Sequence, residues 1–588
     1  PPRKFQRLEY FMRCLIPVTL GLLLACSLSA CSKKIPSKPK PAPTAGSLDG
    51  VPLGADLAGG LKANQYQGLS CEDSTTHRGL RSWRRLSNVE LVNTIRDVFG
   101  SIDGVDFGEL VNDIPKHEAF DTVITPENFF NSNRLKGYLK FAETLSARAD
   151  LNRFFPCVNE GASCIRQAAP RVGADIWRRP LTDDEMTRLV SLHEALTADG
   201  ANAEQATRFV LQALVLSPHF LYRPEFGELQ ADGSFLLTDW EIASALSYLL
   251  WRRPPDAALR SAAQSGSLRS LEGVKSQAER LMADPKAREA MADFAGMWLN
   301  AGRVQTVMKP QAQFTADVKT RLVDEAKNFF VHTMFDAETP TFHHLMNADY
   351  TIGDASVSFI YGSAPTGDGR LPFVQAQRRG ILGQAGFLAS HAFPDQPNPI
   401  MRGVFVAERL LCVGFVPPPA VNVPEPQPGL SNKERFRRHS EIPACASCHA
   451  TIDSLGFALE NFDAIGTFRD ADAGQPIVVD GRLRIDGQDT TVSSPQGLSQ
   501  LIGQSRQGLQ CFARQNFRYG LGRMEFAPRE ILGAAVKNSQ SVQSELDRCQ
   551  IEAITAAMDA EGGNLQKAIL TLVTSPAFRV RLIGEPEQ

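Results

Sequence analysis

The sequence lacks the signatures of several common enzyme chemistries. It holds no phosphate-binding loop, no G-x-S-x-G elbow and no H-E-x-x-H pair, so nothing points to P-loop, serine-hydrolase or zincin chemistry. It also lacks charge of one sign, with 62 Lys and Arg against 65 Asp and Glu in 588 residues. Without a basic surplus there is no electrostatic footprint for nucleic acid, and no such partner is expected. The apolar run "CLIPVTLGLLLACSLSAC" at 14–31 is too short and ends in small residues, whereas a membrane span needs about 20 apolar residues. A chain of 588 residues exceeds what one core organises, since cores stop growing near about 250–300 residues. Several domains are expected.

What is present begins with an export signal. Arg3, Lys4, Arg7 and Arg13 precede the apolar run, the order of a basic n-region and an h-region. Leu28-Ser29-Ala30-Cys31 resembles a bacterial lipobox, in which Cys31 takes the lipid; Leu23-Leu24-Ala25-Cys26 is the competing site. The stretch "SKKIPSKPKPAPTAG" that follows reads as an extended tether, being basic and proline-rich. The expectation is an exported protein held to the cell envelope by its N-terminal lipid, on the outer membrane because Ser32 follows the cysteine. The net charge is −3, and the first 31 residues hold four basic groups and one acid, leaving the remainder at about −6.

Helix signals dominate the rest. Ser87 with Glu90, Thr182 with Glu185, Thr238 with Glu241 and Ser431 with Glu434 have the spacing of capping boxes. Strand signals concentrate in "PIVVDGRLRIDGQDTTV" at 476–492, where Asp480-Gly481 and Asp486-Gly487 read as tight turns. The expected fold is mainly α: a multi-domain helical protein with a small β-hairpin insert and a cytochrome-c-like haem segment. The boundaries drawn are a signal at 1–31, a tether at 32–70, and helical regions at 71–150, 151–204 and 205–375. A C-x-x-C-H domain at 376–475 and a C-terminal domain at 476–588 follow. The proline run at 416–429 reads as a linker. One echo joins distant parts: "VLQALVLSPHFLYRPE" at 210–225 resembles "AILTLVTSPAFRVR" at 568–581.

The sharpest chemical signal is Cys445, Cys448 and His449. In an exported chain two thiols at this spacing fit three outcomes. They can hold a c-type haem with His449 on the iron, close as a disulfide, or join a zinc site with a ligand such as Cys412. Haem attachment is the reading adopted, with one haem c per chain. Setting aside the signal cysteines and that pair leaves Cys71, Cys157, Cys164, Cys412, Cys511 and Cys549. That number suffices for three disulfides, and Cys157 with Cys164 is the nearest pair. Weaker candidates are His343 and His344 with Asp349, and the acids Glu460 and Asp463, which read as a solvated face.

Five stretches occur in one order: "RRLSNVELVNTIRDVFG", "WRRPLTDDE", "LSPHFLYRPE" with "LTDWEIASALSYLLW", "CASCHATIDSLGFALENFDAIGTFR" and "CFARQNFRYGLGR". Together they resemble a large family of exported, planctomycete-type cytochrome-like proteins built from consecutive domains of unknown function. The resemblance implies a modular exported protein with a C-x-x-C-H domain near its C-terminus, and no particular substrate. That family often carries methionine three residues beyond the haem histidine; here the position is Ile452, so that methionine is excluded as an iron ligand. For the distal position His391 and His439 lie in the same expected domain. His439, tethered close to Cys445, stays on the proximal side, while His391 either reaches the metal or caps the helix before it. Two functions remain open: a lipoprotein passing single electrons to an unknown redox partner, or a non-enzymatic surface scaffold with the cysteine pair bridged. A diheme peroxidase is not expected, since there is one attachment motif.

Fatty-acid labelling of Cys31→Ser and Cys26→Ser variants tests the anchor. Label is expected to vanish only in the Cys31 variant; loss only in the Cys26 variant contradicts the assignment.

Overall fold

The computed structural model describes residues 71, 79–80, 84–100, 110, 113, 120–123, 131–374, 377–415, 430–440, 443–525 and 538–582. Cys31, the signal, the tether at 32–70, the proline run at 416–429 and the side chain of His439 lie outside the described residues.

Local capping sets where the first helices start. Ser87 and Glu90 form a reciprocal box at α1 (Asn88–Phe99). Then come α2 (Ser132–Arg148), α3 (Ala162–Trp177), α4 (Asp183–Ala198) and α5 (Ala203–Leu216). Thr182 with Glu185 boxes α4, and Thr238 with Glu241 boxes α6 (Asp239–Leu250). Each box satisfies two backbone N–H groups that a helix start otherwise leaves open. Helices α1 to α5 share one apolar cluster that includes Ile95, Phe141, Ile165, Val172 and Leu211. The Cys157–Cys164 bridge closes the turn before α3.

A second core runs through α6, α7 (Pro285–Trp298) and α8 (Ala316–Phe335) into the C-terminal half. There follow α9 (Ala385–Ser390), α10 (Pro399–Phe405), α11 (Asn432–Ser440) and α12 (Pro443–Phe457). The chain closes with α13 (Arg506–Leu521), α14 (Asn538–Asp559) and α15 (Leu565–Thr574). Phe294 and Trp298 stack at its centre with Phe512 edge-on to both, and Trp298 Nε1 donates to Arg409 O at 3.0 Å. Bridges Cys412–Cys511 and Cys71–Cys549 tie distant segments to it. Among the described residues, no helix is long and apolar enough to cross a membrane.

Strands are short: β1 (Gly79–Leu80), β2 (Glu228–Leu229), β3 (Phe235–Leu236), β4 (Gly481–Ile485), β5 (Gln488–Val492) and β6 (Val580–Leu582). One sheet runs β1–β6–β3–β2, parallel only between β1 and β6. The two echoed sequences fold alike. Each is a helix ended by a serine, a one-turn helix opened by proline, and a strand: Ser217-Pro218 before Tyr222–Arg223, and Ser575-Pro576 before β6. Phe220 and Phe578 fill equivalent buried positions.

Of the two expected turns, only Asp486-Gly487 joins the hairpin of β4 and β5, with both residues at positive φ. Asp480-Gly481 is no turn. Gly481 pairs with Val492 as the first residue of β4, where a Cβ would lie 2.8 Å from Ser454 O.

The same close approach governs α10 and α12, which run antiparallel in contact. A Cβ on Gly403 would lie 2.1 Å from Ile452 O, and one on Gly456 would lie 1.9 Å from Pro399 O. In an open helix Gly→Ala gains about 1 kcal/mol; here the methyl must push two backbones apart, at a cost of about 1–3 kcal/mol or more. Gly456→Ala is expected to lower the melting temperature. An unchanged or raised melting temperature contradicts the packing.

Candidate functional site

Cys445, Cys448 and His449 stand on the first turns of α12. Residues three and four apart share a helix face, so these three lie on the stripe that continues through buried Ile452 to Gly456 and the α10 contact. Cys445 and Cys448 are half-buried thiols, and among the described residues they are the cysteines outside the three disulfides. His449 Nδ1 meets Asp453 Oδ1 at 2.8 Å, one turn on, with 13% and 15% of the two side chains exposed. A carboxylate accepts only, so Nδ1 carries a proton in this contact, and in the neutral ring the lone pair then lies on Nε2.

The turn is held from behind. Ser431 and Glu434 exchange hydrogen bonds at the start of α11, the helix that leads into α12. Buried Arg402, on α10, donates to four carbonyls: Leu388 at 3.0 Å, Leu459 at 3.0 Å, Phe462 at 2.7 Å and Asp463 at 2.7 Å. Arg378 does similar work, donating to Gly383 O, Ile360 O and Gly466 O while lying over the Tyr361 and Phe462 rings. Asp463 accepts from the N–H groups of Ile465 and Thr467, shaping the following turn.

Glu460 is not on a solvated face. It is 4% exposed and holds Asn432 Nδ2 at 2.9 Å and Arg469 Nη2 at 2.5 Å, and burial pushes its carboxyl up to about 7. The sequence pattern misled because Arg469, nine residues on, and Asn432, at the start of α11, bring the partners that make burial tolerable. Much of "GFALENFDAIGTFR" is therefore scaffold.

His391 is the C-cap residue of α9. Its Nδ1 lies 3.0 Å from Phe387 O, its ring packs 5.2 Å from Phe387 and 4.7 Å from Phe405, and burial pushes its imidazole down to about 3. Gly403 faces α12, and Phe405 is two residues farther along α10, turned by about 200° at 3.6 residues per turn. His391 and the C-x-x-C-H turn thus address different faces of α10.

Two further arrangements were not read from the sequence, although His344 was a weak candidate there. Tyr350 Oη meets His332 Nε2 at 3.1 Å and His344 Nε2 at 2.9 Å, so His344 is tied to a tyrosine. Among the described residues no group of three or more His, Cys, Asp or Glu is placed to hold a metal ion. Glu325, fully enclosed on α8, accepts from Tyr361 Oη, which in turn accepts from Ala385 N at 2.7 Å and so supports the start of α9. Burial pushes the Glu325 carboxyl up to about 7 from 4.5. A raised acid contributes stability that is full below its unfolded value and is lost as pH rises through the folded one. Glu325→Gln, which keeps the uncharged form, is expected to lose less stability than the wild type between pH 5 and pH 8. The difference is roughly 3 kcal/mol at most, at 1.36 kcal/mol per pKa unit. Parallel denaturant titrations check this, and identical pH dependence in both proteins contradicts it.

Four family matches lie consecutively along the chain, each described as a protein of unknown function. They are DUF1587 over 84–150, DUF1595 over 164–225, DUF1592 over 237–363 and DUF1588 over 378–472. The C-x-x-C-H turn and Arg402 fall in the last. No curated protein and no solved structure matches the chain. Between 84 and 472 the protein is therefore built from four consecutive planctomycete-type domains of unknown function.

Proposed function

We propose that Cys445 and Cys448 would hold one covalently attached haem c, with His449 as the residue that would bind its iron, in a protein that passes single electrons within a cell-envelope redox system. The observation that carries this reading is the set of donors on one helical turn. Two thiols remain outside the disulfides, and the next residue is a histidine whose Nδ1 is already engaged by Asp453. These residues fit the group: two thiols on one turn suit two thioether bonds, and the Nε2 lone pair suits iron. When bound, the haem supplies a one-electron couple.

The chain's own residues then do the rest. Cys445 and Cys448 fix the group to the helix, His449 presents Nε2, and the close seam of Gly403 and Gly456 keeps that helix from shifting. His391 we assign to capping α9, given its hydrogen bond to Phe387 O and its place against Phe405. The lipid on Cys31 belongs to the same reading, holding the protein at the envelope where a redox partner protein meets it.

A pyridine haemochrome assay on the chain exported with its own maturation machinery tests this. A c-type spectrum at one haem per chain is expected, lost in Cys445→Ser with Cys448→Ser, and the native absorption spectrum without pyridine is expected to be unchanged in His391→Ala. No covalent haem in the wild-type chain, with Cys445 and Cys448 bridged, would favour the surface scaffold instead.

A further inference from the structure

The partner of His449 Nδ1 is a carboxylate supplied by the same helix. Asp453 lies four residues on, the spacing that stacks side chains one above the other, and its Oδ1 sits 2.8 Å from Nδ1. Both side chains are mostly enclosed, at 13% and 15% exposed. An enclosed negative charge at this distance is weakly screened. It makes the imidazole a stronger electron donor than a neutral carbonyl partner would, since the group behind a ligating histidine sets both its tautomer and its basicity. Iron held by Nε2 gains more from a stronger donor in its ferric than in its ferrous state.

The geometry is not left to a mobile side chain. Asp453 is flanked by Ile452, whose backbone carbonyl meets Gly403, and by Ser454, whose backbone carbonyl meets Gly481 and whose hydroxyl accepts from Arg482 N at 3.2 Å. The helix segment bearing Asp453 is thus clamped between α10 and β4.

We propose that Asp453 is a positioning residue that holds His449 with Nε2 presented and biases the iron bound there toward the ferric form, giving the site a low potential. The inference rests on the haem reading above. It places the protein on the reducing side of one-electron exchange, where its partner must be a donor strong enough to reduce a ferric-biased site.

The test compares wild type, Asp453→Asn and Asp453→Glu as full-length, haem-loaded chains by redox titration. Asp453→Asn keeps the shape and removes the charge. It is expected to shift the ferric-to-ferrous ratio at fixed potential at least tenfold toward ferrous, about 59 mV for a one-electron couple. Asp453→Glu, which restores the charge, is expected to recover part of the shift. Selective 15N-histidine spectra of the haem-free protein read the His449 tautomer, expected as Nδ1–H in the wild type and displaced in the asparagine variant. Unchanged potential in Asp453→Asn with haem in place overturns the role of Asp453 and leaves the haem reading standing. An Nε2–H tautomer in the haem-free wild type overturns the role independently of loading. Absence of covalent haem from the wild type overturns both.

Discussion

The buried guanidinium of Arg402 is the constraint on which the arrangement around α12 depends. A charged group with no carboxylate in its hydrogen-bond set is costly to enclose. Here the cost is offset by four carbonyl acceptors, one from α9 and three from the turn after α12. Burial lowers its pKa to about 10, which still leaves it charged at neutral pH. Leu459 O and Asp463 O also accept from the N–H groups of Phe462 and Gly466, so the arginine gathers carbonyls of one helix end and the following turns onto a single group. Because Arg402 neighbours Gly403 in sequence, the segment of α10 that collects the carbonyls also makes a close backbone contact with α12. Position and orientation of the cysteine–histidine turn follow from this one place.

Around that centre the molecule repeats a single solution: arginines buried against carbonyls and aromatic faces. Arg178 donates to the carbonyls of His219, Phe220 and Tyr222, holding the corner after α5, and lies over the Tyr248 ring. Arg378 does the same at the turn before α9. Planar guanidinium groups suit this work because their fixed fork meets several acceptors at once. The disulfides act at longer range: Cys412–Cys511 spans 99 residues and Cys71–Cys549 spans 478, joining segments far apart in sequence.

What the sequence made legible was local. All four capping boxes form, because a serine or threonine and a glutamate three residues on need nothing else from the chain. Asp486-Gly487 was readable as a turn for the same reason, whereas Asp480-Gly481 was not distinguishable from it until the hairpin register placed Gly481 against Ser454. The cysteine–histidine spacing named the candidate site. The Asp453 contact was within reach too, since its i,i+4 spacing from His449 on a helix was visible. Arg402 and Glu460 were not, because their partners come from other helices and turns: a buried ion and an exposed one look alike in one dimension. His391 illustrates the same limit. Its helix-end position was legible, but the side of α10 it faces depends on Phe405 and the α10–α12 contact.

The proposed function depends on one short turn of α12 carrying a covalently bound redox group. Its most direct test is peptide mass mapping of the protein purified from the cells that make it. The peptide containing Cys445 and Cys448 is expected to carry the added mass of one haem, with both thiols consumed. The same peptide recovered without that mass, its cysteines free or joined to each other, contradicts the claim.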